Sequence, residues 1–277
     1  MLESTVYRPH EEAEASATLR TLEASSVFAG VDARAFEYVS RGDFVEGRIY
    51  LPQTSQSLPA ALVIVVHAAG ESASSRSLDF TADWVRQGFA VAAIDLPLHG
   101  RRSSPKLSER LFQGLGKLAQ GEEIDPDTHA LVEEFARQAT SDLIRGIDAL
   151  QALPCVDGRR IGLLGLGVGS ALCAYVLAHD ERPRACVLAG GATRFEDAKL
   201  DPAATLTTRQ PARTCPVLIQ TLAKDSNDSL EAARAFFEAI PEPKEYAEMP
   251  GDAWGSGDTA NAAERHAGDF LNKHLSA

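Results

Sequence analysis

A mainly parallel central sheet of about eight strands, with helices on both faces and an antiparallel hairpin at its N-terminal end, is the fold class this sequence predicts. Three observations lead there. Continuous apolar, β-branched runs recur along the chain, and such runs mark strands buried on both faces. Between them lie segments with helical spacing of apolar positions. Near the N-terminus the rhythm is different, an apolar-polar alternation broken by a short polar turn.

Taken in order, residues Glu11 to about Ser26 are rich in Ala and Glu and read as a weak surface helix. Residues 1–34 are accordingly expected to be a helical extension, and 35–277 the α/β domain. Ala35-Phe-Glu-Tyr-Val-Ser40 and Phe44-Val-Glu-Gly-Arg-Ile-Tyr-Leu51 flank Arg41-Gly-Asp43, which predicts a hairpin. Leu62–Val66 is the first buried strand, followed by a helix over Asp79–Gln87 that Gly88 stops. Phe89–Ile94 is the second buried strand. A long helix from about Leu131 to Leu153 carries Val132, Phe135, Ala139, Leu143, Ile147 and Leu150 at helical spacing. Arg160–Leu164 and the helix Ser170–His179 come next, then strands at Ala185–Ala189 and Val217–Thr221. A helix over Leu230–Ile240, a short strand at Lys244–Met249 and a last helix over Ala260–Leu275 complete the alternation. Two insertions interrupt it, residues 101–129 and 192–213. Each follows a strand and its turn, where loops carry function in such sheets, so both are candidate cap pieces.

Bulk properties narrow the function classes. A net charge of -12 disfavours nucleic acid and anionic membrane as partners. Apolar stretches such as Ala60–Val66 are strand-sized, far short of the ~18 residues of a membrane span. The acidic N-terminus lacks the apolar core of a signal peptide. Cys155, Cys173, Cys186 and Cys215 show neither CxxC nor metal spacing, which suits free thiols in a reducing cytosol. No HExxH and no paired-histidine spacing occurs, so neither a metal nor another cofactor is expected. A small-molecule ligand or substrate is the partner class that remains.

Four segments carry a resemblance. Val63-Ile-Val-Val-His67-Ala-Ala-Gly70 resembles a strand ending in His-Gly-x-Gly, with Ala68 in place of the usual Gly. Asp95-Leu-Pro-Leu-His99-Gly-Arg101 resembles the loop after the following strand. Gly165-Leu-Gly167-Val-Gly169 resembles the G-x-S-x-G elbow between strand and helix. Pro216 to Asp225, and then Glu248-Met-Pro-Gly-Asp-Ala-Trp254-Gly, resemble the segments that carry an acid and a histidine. On these residues the chain is similar to the α/β-hydrolase superfamily, especially its dienelactone-hydrolase-like and acyl-esterase-like members. The resemblance spans about Phe36 to the end.

That resemblance implies the α/β-hydrolase fold and assigns a role to each position. The amides of Ala69 and Val168 correspond to the oxyanion hole. Gly167 stands at the nucleophile position, Asp225 at the acid and Trp254 at the base. His67 and His99 border the expected pocket, and His99 and Asp95 read as structural loop residues. A Ser-His-Asp mechanism needs a nucleophile and a base, and here only the acid position keeps its residue type. Ser170, three residues past the apex, is expected to point elsewhere, and His129 and His266 have nothing specific in their favour.

The expectation is therefore a non-hydrolytic protein that binds small acyl or carboxylate compounds. Backbone amides at a helix N-terminus favour anions, and Trp254 would add an apolar wall. Beside a closed cleft filled by Trp254, which would leave a structural or interaction role, three alternatives stay open. One is an enzyme of non-classical mechanism, lyase-, isomerase- or cyclase-like or water-activating, using the oxyanion hole and Asp225. Another is a working esterase, if the elbow lies elsewhere. The third is a dinucleotide site at Gly165-Leu-Gly167. Against this last reading, the next strand, Ala185 to Gly191, has no acid at its end.

Overall fold

A computed structural model describes residues 20–24, 31–53, 58–190, 201–209, 215–223, 230–251, 254–255 and 261–276. The strands are β1 (Arg20–Ala24), β2 (Asp32–Ser40), β3 (Asp43–Leu51), β4 (Ala60–Val66), β5 (Ala90–Ile94), β6 (Val156–Leu166), β7 (Pro183–Ala189), β8 (Val217–Leu222) and β9 (Lys244–Met249). The helices are α1 (Thr81–Arg86), α2 (Pro105–Ala119), α3 (Pro126–Gln151), α4 (Val168–His179), α5 (Pro202–Arg209), α6 (Leu230–Ala239) and α7 (Ala262–Leu275). Among the described residues the strands form one nine-stranded sheet in the order β1-β2-β3-β5-β4-β6-β7-β8-β9. From β5 to β9 every neighbouring pair is parallel, and β1, β2 and β3 add antiparallel pairings at one edge.

Period-two alternation sorts the central strands between two cores. Leu62, Ile64, Val66, Leu163, Leu188 and Ile219 face α2 to α6, whereas Val63, Val65, Leu164, Val187 and Leu218 face α1 and α7. All of these are at most 2% exposed, which is why their strands read as unbroken apolar runs. Each such side chain contributes roughly 1.5–3 kcal/mol of burial. α7 is set by a capping box in which Asn261 accepts from the Glu264 amide and Glu264 accepts from the Asn261 amide. Among the described residues no helix is long and apolar enough to cross a membrane.

The hairpin closes as its turn residues dictate. Arg41 and Gly42 have φ of 50° and 84°, and positive φ at both positions gives a turn whose twist matches the strands. The pairing runs from Ser40 opposite Asp43 to Asp32 opposite Leu51, so β2 starts three residues before the expected Ala35.

The expected N-terminal helix is corrected at its C-terminal end. Arg20–Ala24 is a strand, antiparallel to β2 with Thr21 opposite Phe36. The free hydrogen-bonding edge of β2 outweighs a weak local helix preference, as tertiary context commonly does. Residues 1–19 and 25–30 lie outside the described residues.

The long helix also begins earlier than expected, at Pro126 rather than near Leu131. Asp125 caps it by accepting from the Thr128 amide, and Pro126 fills the first helical position, where no amide hydrogen is needed. The first insertion is thus mostly helical: α2 lies against the start of α3, with Arg110 Nε donating to Thr128 Oγ1 at 2.7 Å. Of the second insertion the described part is Asp201 and α5, and the rest lies outside the described residues.

Candidate functional site

The strand order reverses direction around β4, whose neighbours are β5 and β6. In open α/β sheets, ligand sites form at such a switch point, beyond the strand C-termini. Val66 is the register partner of Gly165, so the ends of β4 and β6 emerge side by side. This pairing brings the loop from His67 to Glu71 against the turn at Gly167.

Gly167 sits at the apex between β6 and α4 with φ 54° and ψ -121°. That is backbone favoured by glycine. A Cβ placed there would project toward Ala68, 3.3 Å from its Cβ. The flanking glycines have a packing reason of their own. A Cβ on Gly165 would lie 2.4 Å from the Gly169 oxygen, and one on Gly169 would lie 2.1 Å from the Val66 oxygen. The spacing of glycines in this turn is therefore a close-approach requirement between strand and helix backbones, independent of the residue at the apex.

Ser170 is fully buried, and its hydroxyl donates to the Gly165 oxygen at 2.8 Å and contacts the Ala189 oxygen at 3.1 Å. It braces the turn and does not face the site, as its offset from the apex implies. The amides of Val168 and Ala69 donate no hydrogen bond among the described residues. Val168 is half-buried and Ala69 exposed. These are the two positions expected to supply an oxyanion hole. The neighbouring Ala68 amide is taken, donating to Glu71 Oε2 at 3.3 Å. Glu71 was not singled out by the sequence, because its capture of a backbone amide depends on loop geometry.

Asp95 is a structural tie, as expected. It accepts the amides of Ala73 at 2.8 Å and Arg101 at 2.9 Å, joining the loop after β4 to the loop after β5. His67 and His99 are both buried, beneath these loops rather than on an open wall. The His67 Nδ1–H donates to the Ala68 oxygen at 2.9 Å while Nε2 accepts the Leu96 amide at 3.4 Å. That arrangement requires the neutral ring, and burial lowers its pKa.

His99 donates through Nδ1 to the Pro97 oxygen at 2.8 Å and packs on Phe112 of α2 and Phe135 of α3, with ring centroids 4.8 and 5.6 Å away. Burial is the main cause that pushes its pKa down to about 4. The unfolded chain therefore binds more protons than the folded one between about pH 4 and 6.5, and stability falls as pH falls through that window. His99→Gln is expected to flatten the acid limb of the melting temperature profile, removing up to about 3 kcal/mol of pH dependence. An unchanged slope between pH 6.5 and 4 would reject this assignment.

Trp254 packs beside Phe80, ring centroids 6.1 Å apart, against the core that α1 and α7 share. Its Nε1 is buried without a hydrogen-bond partner. The adjacent Gly255 approaches Ser77 so closely that a Cβ would lie 2.1 Å from the Ser77 oxygen. Its amide donates to Glu264 Oε1 at 2.7 Å. Glu264 is 1% exposed, and burial raises its pKa although the Asn261 and Gly255 amides oppose that. One buried carboxylate thus starts α7 and ties to it the turn carrying Trp254, whose Gly255 lies against Ser77 in the connection between β4 and α1. The Asn261-x-x-Glu264 spacing makes the capping half of this legible in sequence, but not the bond to Gly255.

Asp225, the expected acid position, lies outside the described residues, as does Asp228. His266 of α7 meets Gln220 Nε2 through Nδ1 at 3.3 Å, and His129 lies 3.5 Å from Glu133, so both have local partners. The four cysteines form no disulfide among the described residues, and three of them are buried.

No family model matches the chain. No curated protein matches it. Solved structures do. A cold-adapted esterase from an Arctic intertidal metagenomic library aligns with TM-score 0.65 at 20% identity, covering 92% of this chain and 100% of its own. Acetyl xylan esterase 1 from Thermoanaerobacterium sp. JW/SL YS485 aligns with TM-score 0.68 at 17% identity, covering 95% and 90%. The α/β hydrolase GrgF from Penicillium sp. sh18 aligns with TM-score 0.62 at 16% identity, covering 88% and 99%. At these identities the likeness speaks to architecture. Together with the sheet order and the turn at Gly167, it shows that the chain has the α/β-hydrolase fold.

Proposed function

We propose that this protein binds small acyl or carboxylate compounds without hydrolysing them, in the cleft where an α/β-hydrolase-fold enzyme holds its nucleophile. The observation that carries the reading is the apex itself. Gly167 occupies it with no side chain to attack a carbonyl, while the amides of Ala69 and Val168 beside it are free to donate to a ligand oxygen. Preorganised amides of this kind bind a carbonyl or anionic oxygen whether or not a nucleophile is present. In this reading Trp254, packed beside Phe80, supplies an apolar face at the edge of the site.

Two measurements on the full chain test it together. A fluorophosphonate probe read by intact mass is expected to leave the protein unlabelled. Titration with small carboxylates and acyl esters is expected to change tryptophan fluorescence and raise the melting temperature. A stoichiometric adduct on any serine would overturn the reading and place a working hydrolase here. Esterases among the solved neighbours favour a second reading in which the amides serve catalysis without a serine nucleophile. Turnover of an activated ester above the buffer rate, with no serine labelled, would favour that second reading.

A further inference from the structure

We propose that Glu71 sets the ligand class of this site: neutral carbonyl compounds bearing an ammonium or hydroxyl group beside the carbonyl, in preference to free carboxylates. The inference rests on the binding function proposed above and narrows it. Its first support is the loop after β4. The Ala68 amide donates to Glu71 Oε2 at 3.3 Å, and the Glu71 amide donates to the Ala68 oxygen at 3.2 Å. This reciprocal pair tethers the carboxylate within the loop that supplies the Ala69 amide. The same Ala68 is the residue that a side chain at Gly167 would touch first. Glu71 is therefore bonded to the residue that faces the apex; it is half-buried, and no cation pairs with it among the described residues.

The second support is charge. A ligand carboxylate on the Ala69 and Val168 amides would place a second negative charge next to Glu71, in a chain whose net charge is already -12. A like charge in the same loop opposes binding by about tenfold in a partly solvated site. A neutral carbonyl oxygen accepts the same two amides without that opposition. An ammonium or hydroxyl group one or two atoms away then gives Glu71 a donor, and a charge-assisted bond is the stronger kind. The amides fix where the carbonyl goes, and the carboxylate decides what may flank it.

The test compares wild type with Glu71→Gln, which keeps an acceptor for the Ala68 amide and removes the charge. The probes are butyrate, methyl butyrate, methyl glycolate and glycine methyl ester, titrated by calorimetry with melting temperatures as a check on folding. Wild type is expected to bind glycine methyl ester and methyl glycolate more tightly than methyl butyrate, and butyrate most weakly. In Glu71→Gln, butyrate is expected to gain about tenfold and glycine methyl ester to lose about tenfold. Probe ranking unchanged by the substitution would overturn the role of Glu71 and leave the binding function standing. Failure of every probe to bind either protein would overturn both.

Discussion

Arg102→Ala is expected to cost about 4 kcal/mol of stability, because it strands a charge inside the protein. Arg102 Nη1 donates to Asp142 Oδ2 at 2.7 Å and to the Asp95 oxygen at 3.1 Å. The Asp142 side chain is 0% exposed and that of Arg102 11%. Burial already raises the Asp142 pKa, with the guanidinium as the chief opposing influence. Removing Arg102 leaves that carboxylate buried without its cation, so it must take up a proton or admit water. Acid should then partly rescue the variant, since protonation removes the stranded charge. Chemical denaturation at pH 7 and pH 5 checks both statements. A loss below about 1 kcal/mol would show that water reaches the site freely. The double variant Arg102→Met with Asp142→Leu is expected to recover most of the loss, since an apolar pair of similar volume can replace a buried ion pair.

Gly169→Ala is expected to be nearly as severe, at 3 kcal/mol or more of overpacking, or roughly a 10 °C fall in melting temperature. The added Cβ would fall 2.1 Å from the Val66 oxygen and 2.8 Å from its carbonyl carbon. Those are backbone atoms of β4 in its parallel ladder with β6, so neither can move aside alone. Gly167→Ala makes the informative contrast. Its Cβ meets Ala68 Cβ at 3.3 Å, a contact a small adjustment relieves, and the remaining cost is the φ of 54°. That strain is worth about 1–2 kcal/mol. Thermal melts of the two variants should therefore separate clearly. Equal losses would mean that the helix–strand approach is softer than its geometry indicates.

Much of this architecture was legible in the residues. The continuous runs at Leu62–Val66, Phe89–Ile94 and Arg160–Leu164 gave central strands because a strand covered on both faces has no polar side to show. The apex at Gly167 was legible because Gly165 and Gly169 mark a strand-to-helix turn whatever residue lies between them. The Asp125-Pro126 start of α3 was written in the sequence as a cap followed by proline, although apolar spacing alone placed the start five residues later. β1 was not legible: Arg20–Ala24 is a strand because β2 presents an open edge, a fact of the assembled sheet.

The site divides in the same way. Residue types at the apex and at Trp254 are properties of the chain, and they fix which groups are available for chemistry. Tertiary structure decided what those groups meet. It buried His67 and His99 beneath the loops as neutral hydrogen-bonded rings, where the sequence only placed them near the pocket. It turned Ser170 into a brace for the elbow. It set Glu71 on the Ala68 amide and Glu264 on the Gly255 amide, contacts made across loops and between distant segments. Local sequence determines the conformations a segment can hold, through backbone sterics and apolar period. Which carboxylate reaches which amide depends on where separate segments come to rest, and that is set only when the sheet closes its two cores.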